Sequence, residues 1–272
     1  MTPLALTADD DAPDVAARLL GRLDAIGASL ARRGDALALL GLGSVGRETD
    51  RIDAWSDLDF FAIVAPGRKA AYLADLAWLS DVAPVAYAVR NTVDGYKVLY
   101  EDGIFCEFAV FEPAELPGIA YAPGRVVWAA PGFDTATLDR PDPTPGGGVD
   151  VPWALGEALT NLYVGLGRYH RGERLAAARL VQSHAVDRVL ELASVWETAE
   201  AASSSASRDP FQAERRVERR IPALADLLPT FVQGYDRTPE SARAILGYLE
   251  THADVEPHLR AAILALSEPA PR

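Results

Sequence analysis

The chain changes its hydrophobic period partway along, and that change fixes its class. Before residue 131, short apolar runs rich in branched and aromatic residues are separated by turn residues, at 36–42, 57–64, 85–89, 96–100 and 104–111. After residue 152 the period becomes helical, in long stretches such as 153–170 and 174–196. Between them lies a segment with Pro141, Pro143, Pro145 and the run Gly146-Gly147-Gly148, which neither a helix nor a strand tolerates. The expectation is an α+β chain. A mixed β-sheet flanked by helices occupies residues 1–135, a Pro/Gly-rich linker 136–151, and an α-helical bundle 152–272.

Local signals fill in the first half. Val15, Leu19, Leu23, Ile26 and Leu30 recur at helical spacing, which predicts an amphipathic helix over 14–33 with Gly34 past its end. Pro66-Gly67 stops the second strand, and a helix is expected over 68–79. Asp102-Gly103 between two strand-like runs predicts a two-residue hairpin. In the second half, 199–208 with Ser203-Ser204-Ser205 reads as a polar loop, and helices resume near Pro210 and over 239–249. No internal repeat is visible.

Composition narrows the partners. No apolar run approaches the roughly 20 residues of a membrane span, and the acidic beginning of the chain has no basic n-region, so neither a membrane anchor nor a signal peptide is expected. The single cysteine, Cys106, cannot close a disulfide within the chain, which suits a reducing, cytoplasmic setting; its simplest role is a small buried strand residue. A formal net charge of -13 argues against a nucleic-acid partner, because phosphate backbones demand basic stripes. It favours a cationic small molecule by long-range steering.

The stretch with chemical content runs from Gly43-Ser44, through a polar loop containing Arg47, to Ser56-Asp57-Leu58-Asp59. Side chains alternate along a strand, so Asp57 and Asp59 share one face. Two carboxylates so placed repel each other unless a cation lies between them. Mg²⁺ takes oxygen ligands of this kind, usually one or two carboxylates plus substrate phosphates. A Gly-Ser turn after a buried strand lets the backbone approach a phosphate, and Arg47 can pair with a phosphate oxygen. Glu107 stands amid apolar strand residues, where a buried acid requires a partner or a metal. Asp50 and Asp53 read as loop residues, and Glu101 and Asp102 as the solvated end of a hairpin.

The Gly-Ser turn, the loop and Asp57-Leu58-Asp59 resemble the defining motif of the nucleotidyltransferase superfamily that includes DNA polymerase β. Among its members the chain most resembles two-domain lincosamide and aminoglycoside antibiotic nucleotidyltransferases, through segments 43–64, 78–84 and 103–116 and, in the helical half, Asn161-Leu162-Tyr163 and Arg171-Gly172-Glu173. It departs in carrying Asp59 where relatives have Glu, and in a longer loop after Ser44. The resemblance implies two Mg²⁺ ions held by Asp57, Asp59 and Glu107, with Glu107 as a further ligand or as the general base. Its pKa would be raised by an apolar setting. Gly43, Ser44, Arg47 and Ser56 would contact ATP or another NTP, the acceptor would be a small cationic molecule, and the protein would be a homodimer.

Tyr163, Tyr169, Arg168 and Arg171 are candidates for the acceptor side, against the plainer reading of packing or surface. His170, His184, His252 and His258 lack metal-ligand spacing. Arg215, Arg216, Arg219 and Arg220 read as a solvated or paired helical face. Two rival functions remain open on the sequence: nucleotidylation of a protein, and an inert nucleotide-binding module.

Overall fold

The computed structural model describes residues 12–140, 148–197 and 213–268. The prolines at 141, 143 and 145 with Gly146-Gly147, the serine-rich loop and Pro210 fall outside these residues. The chain divides into two compact units, Met1–Thr144 and Pro145–Arg272.

The first unit is α+β. Its six strands are β1 (Ala36–Leu42), β2 (Leu58–Val64), β3 (Val85–Arg90), β4 (Gly95–Tyr100), β5 (Phe105–Phe111) and β6 (Arg125–Ala129), in the sheet order β3-β4-β5-β2-β1-β6. All neighbours are antiparallel except β2 and β5, which run parallel. The sheet is therefore mixed, as the sequence predicts. The short run Arg125-Val126-Val127-Trp128-Ala129 was not expected as a strand; it pairs with β1.

Alternation along β2 and β5 sorts their side chains onto two faces. Leu58, Phe60, Ala62, Cys106, Phe108 and Val110 join the main core. Packed there too is helix α1 (Ala12–Ala31), through Val15, Leu19, Leu23, Ile26 and Leu30, each no more than 1% exposed. Gly34 follows with φ +75, the left-handed conformation that costs glycine little. On the opposite face Ile63 and Phe111 pack with Leu116, Tyr121 and Leu138 in a smaller cluster. That cluster lies along the later residues of β2 and β5.

Two local expectations are corrected. The helix over 68–79 is two short ones, α2 (Lys69–Ala74) and α3 (Ala77–Ser80). Between them Asp75 is extended, and its carboxylate accepts the Ala77 N–H at 2.9 Å, replacing a helical bond with a local one. The β4–β5 turn is centred on Glu101-Asp102, closed by Gly103 N–H to Tyr100 C=O at 3.0 Å, with Gly103 at φ +87. It is a turn followed by a left-handed glycine rather than a two-residue Asp-Gly loop.

The second unit is helical. Helix α4 (Val151–His170) starts at Asp150, whose carboxylate accepts the Trp153 N–H at 3.0 Å, with Pro152 in the first turn. Helix α5 (Arg174–Arg179) continues through a π-helical segment, Leu180–Ala185, into α6 (Val186–Trp196). The π segment turns the amide of Gln182 inward. It donates to Gly234 C=O and Thr238 Oγ1 and accepts from Gly234 N–H, so a buried polar group is fully used. Helices α7 (Thr238–His252) and α8 (Pro257–Ser267) complete the core around Leu162, Leu166, Val189 and Ile245. No helix among the described residues is long and apolar enough to cross a membrane.

Candidate functional site

The site is built where β1 ends and β2 and β5 begin. Leu42, the last residue of β1, is in register with Asp59 on β2, and Asp59 is in register with Glu107 on β5. Asp57 lies one residue before β2. Leu58 and Phe60 are buried in the core, while Asp57 and Asp59 are both half-buried; Asp59 lies on the opposite face of β2. Cys106 lies beneath them, fully buried. Burial pushes its thiol up to about 12, opposed by Arg22 and reinforced by the charges of Asp59 and Asp57. It is a core residue, as expected, and not a nucleophile.

The Gly43 turn is matched to Asp59. Gly43 has φ +55 and is exposed, and a Cβ there would sit 3.0 Å from Asp59 Oδ2. A short 3-10 turn, Gly43–Val45, follows, closed by Gly46 N–H to Gly43 C=O at 3.1 Å. Glycine thus serves both the backbone conformation and the open space beside a carboxylate oxygen. Gly43→Ala is expected to cost about 1 kcal/mol in stability by forcing a Cβ into the left-handed turn beside Asp59; a melting curve checks it, and an unchanged midpoint would show that the turn accommodates a side chain.

Glu107 departs from expectation. Its side chain is 42% exposed, not buried. The reason is strand alternation: Cys106 and Phe108 take the core face, and Glu107 emerges where the opposite face is uncovered. Asn91 Nδ2 donates to Glu107 Oε1 at 2.7 Å, and Lys97 Nζ lies 3.2 Å from Oε2. Lys97 is the cross-strand partner of Glu107 on β4. Neither Asn91 nor Lys97 was singled out in the sequence. Counting back from the hairpin turn places Lys97 beside Glu107, so a signal existed.

The remaining candidates scatter. Ser56 is engaged in a turn: its hydroxyl donates to Asp53 Oδ1 at 3.1 Å and accepts the Asp53 N–H at 3.0 Å, while Asp53 also caps the Trp55 N–H. Asp53 is a turn residue, as expected. Arg47 is half-exposed, donates from Nε to Gly124 C=O at 3.1 Å and lies 3.9 Å from Asp139. Ser44 is half-buried beside Gly43. Asp102 is more than a solvated turn residue, since it pairs with Arg22 of α1 at 2.5 Å. In the helical unit Arg168 pairs with Glu173 at 2.6 Å, Arg171 ends α4, and Tyr163 is exposed. Tyr169 lines an open cavity of about 350 Å³ with His170, Asp236 and Arg243.

Among the described residues no three His, Cys, Asp or Glu side chains converge so as to hold a metal between them. The donor set at Asp57 and Asp59 nevertheless suits a hard divalent cation, which is held by one or two carboxylates with substrate phosphates completing its shell. The space that a Cβ at Gly43 would fill lies at Asp59 Oδ2, where such a shell needs room.

No protein-family model and no curated protein matches the chain. Among solved structures it is similar to an aminoglycoside 6-adenyltransferase from Bacillus subtilis, at 12% identity over 90% of this chain and 89% of that one, with a TM-score of 0.32. It is similar to CdnC of E. coli MS115-1, solved in complex with HORMA-deltaN, at 13% identity over 90% of this chain and 91% of that one, with a TM-score of 0.31. A third similar structure is the CD-NTase CdnG of Bradyrhizobium diazoefficiens in complex with GTP, at 14% identity over 97% of this chain and 96% of that one, with a TM-score of 0.28. Likenesses this distant leave the family open, and the functional reading rests on the carboxylate site itself.

Proposed function

We propose that this chain is a Mg²⁺-dependent nucleotidyltransferase, moving AMP from ATP to a hydroxyl of a small cationic acceptor such as a lincosamide or an aminoglycoside. The observation that carries the reading is the register that pairs the end of β1, where the Gly43 turn begins, with Asp59 on β2, and Asp59 with Glu107 on β5. An inert nucleotide-binding module has no need of carboxylates in register on neighbouring strands beside an exposed glycine turn.

In the reaction the acceptor oxygen attacks the α-phosphorus, an O–P bond forms, and the bond to the β-phosphate oxygen breaks, releasing pyrophosphate. Asp57 and Asp59 are the residues that would hold Mg²⁺, which when bound supplies Lewis-acid polarisation of the phosphoryl oxygens. The exposed backbone at Gly43 gives the triphosphate a close approach. The acceptor hydroxyl proton needs a carboxylate near the same strand ends, and Glu107 is in register for it. The net charge of -13 favours a cationic acceptor.

The deciding experiment measures pyrophosphate release with Mg²⁺ and ATP across lincosamides, aminoglycosides and other hydroxylated amines. Release that requires one acceptor class and vanishes in Asp57→Asn establishes the activity and names the substrate. Silence across the panel with ATP still bound would turn the reading toward a protein target or an inert module.

A further inference from the structure

We infer that Arg125 is a phosphate-binding residue, joining Arg47 to hold the β- and γ-phosphates of the nucleotide that leave as pyrophosphate. This rests on the nucleotidyl transfer proposed above. It adds a residue that lies on another strand, far in sequence from the motif around Gly43 and Ser44.

Arg125 opens β6 and is in register with Gly41, just before the Gly43–Val45 turn. Two arginines cross between these segments. Arg47, past the turn, donates from Nε to Gly124 C=O at 3.1 Å, and Arg125 donates from Nη2 to Val45 C=O at 3.2 Å. Each side chain thus holds the stretch of backbone that carries the other. The backbones themselves are too close for side chains. A Cβ at Gly124 would sit 2.6 Å from Gly41 O, and one at Gly41 would sit 2.8 Å from Val45 O. Glycine at both positions lets the start of β6 close on the turn. Val45, fully buried, fixes the turn in the core. Two guanidinium groups are thereby brought to the turn that the triphosphate would approach.

Structure alone does not require arginine here. A bond to a backbone carbonyl uses one of a guanidinium's donors and none of its charge. Among the described residues Arg125 forms no ion pair, and its Nε is buried without a partner. Arg47 has Asp139 at 3.9 Å, with the two side chains 52% and 75% exposed, which makes a weak pair. A partly buried cation without a counter-ion is costly, and an anion shared by the two arginines removes that cost. Planar forks suit phosphate oxygens in particular. Two linked phosphates offer oxygens to both forks, whereas an α-phosphate gripped by both would be shielded from the acceptor. Negative charge develops on the leaving pyrophosphate as its bond to the α-phosphorus breaks, so guanidinium groups placed there favour that step.

Calorimetric binding of inorganic pyrophosphate, ATP and AMP to the full chain, with Mg²⁺ and no acceptor, tests this apart from turnover. Arg125→Gln removes the charge and keeps a donor for Val45 C=O. It is expected to weaken pyrophosphate and ATP about tenfold to a hundredfold, and AMP less than about twofold. Its melting midpoint should stay close to the wild type's. Arg125→Lys, a point charge without the fork, should recover part of the loss. Pyrophosphate and ATP bound as tightly by Arg125→Gln as by the wild type would overturn the inference, while the nucleotidyltransferase reading would stand. Equal weakening of all three ligands would make Arg125 a clamp on the turn and overturn the inference as well. Should Arg125→Gln fail to fold, Arg125→Lys decides: a smaller preference for ATP over AMP supports a phosphate contact, and an unchanged preference overturns it. A wild type that binds neither ATP nor pyrophosphate would overturn the proposed function and the inference together.

Discussion

Asp59→Asn is expected to lower acceptor-dependent pyrophosphate release about a thousandfold, a loss of about 4 kcal/mol of transition-state stabilisation, without unfolding the protein. Asparagine keeps the volume and one acceptor oxygen, so strand β2 has no reason to move. What goes is the charge at the position enclosed by the Gly43 turn on one side and the Glu107 strand on the other. The amide variant should therefore melt close to the wild type, measured without added metal. Kinetics and melting must be read together. A variant that loses activity and stability in parallel would mark Asp59 as structural, and one that keeps wild-type rates would remove it from the mechanism.

The largest effect on folding is expected at Trp78. It is fully buried, donates from Nε1 to Tyr72 C=O at 3.2 Å, and meets the rings of Phe108 and Phe60 edge-on at 5.1 Å and 6.2 Å. Those two rings stack on each other at 5.3 Å, one on β5 and one on β2. Trp78→Ala removes the wedge beneath both strands and should cost about 3–5 kcal/mol, visible as a lower denaturation midpoint. Because Phe60 and Phe108 each follow a site residue by one position, a softened core on one face loosens the carboxylates on the other. Turnover should therefore fall even under conditions where the variant remains folded. A midpoint shift worth under 1 kcal/mol would show that α3 can be lost without disturbing the sheet.

Much of this arrangement could be read from residues alone. The α1 stripe, five of the six strands and the helical character of the second unit follow from hydrophobic period, because each period matches one buried face. Asp57 and Asp59 stood out because charge breaks into an apolar run. Where local chemistry competed with period, the reading failed. The Asp75 carboxylate divides a helix whose hydrophobic pattern is continuous, and β6 is too short for its branched residues to show a period. Glu107 was misjudged for a different reason: apolar neighbours in sequence do not bury a residue when alternation sends it to the opposite face. Asn91 and Lys97 escaped notice because strand register, a property of pairing rather than composition, brings them to Glu107.

The parallel pairing of β2 with β5 has a kinetic consequence. The antiparallel pair β1–β2 and the meander β3–β4–β5 each close through nearby segments, whereas β2 meets β5 only after the intervening helices and the meander have been brought round. The loop-closure entropy of that step is met before its contacts repay it, so it is intrinsically slower than forming either hairpin. Asp59 and Glu107 become neighbours only across this seam. A refolding chain with both antiparallel pieces in place is already rich in strand yet inert, and the return of activity times the closing of the seam.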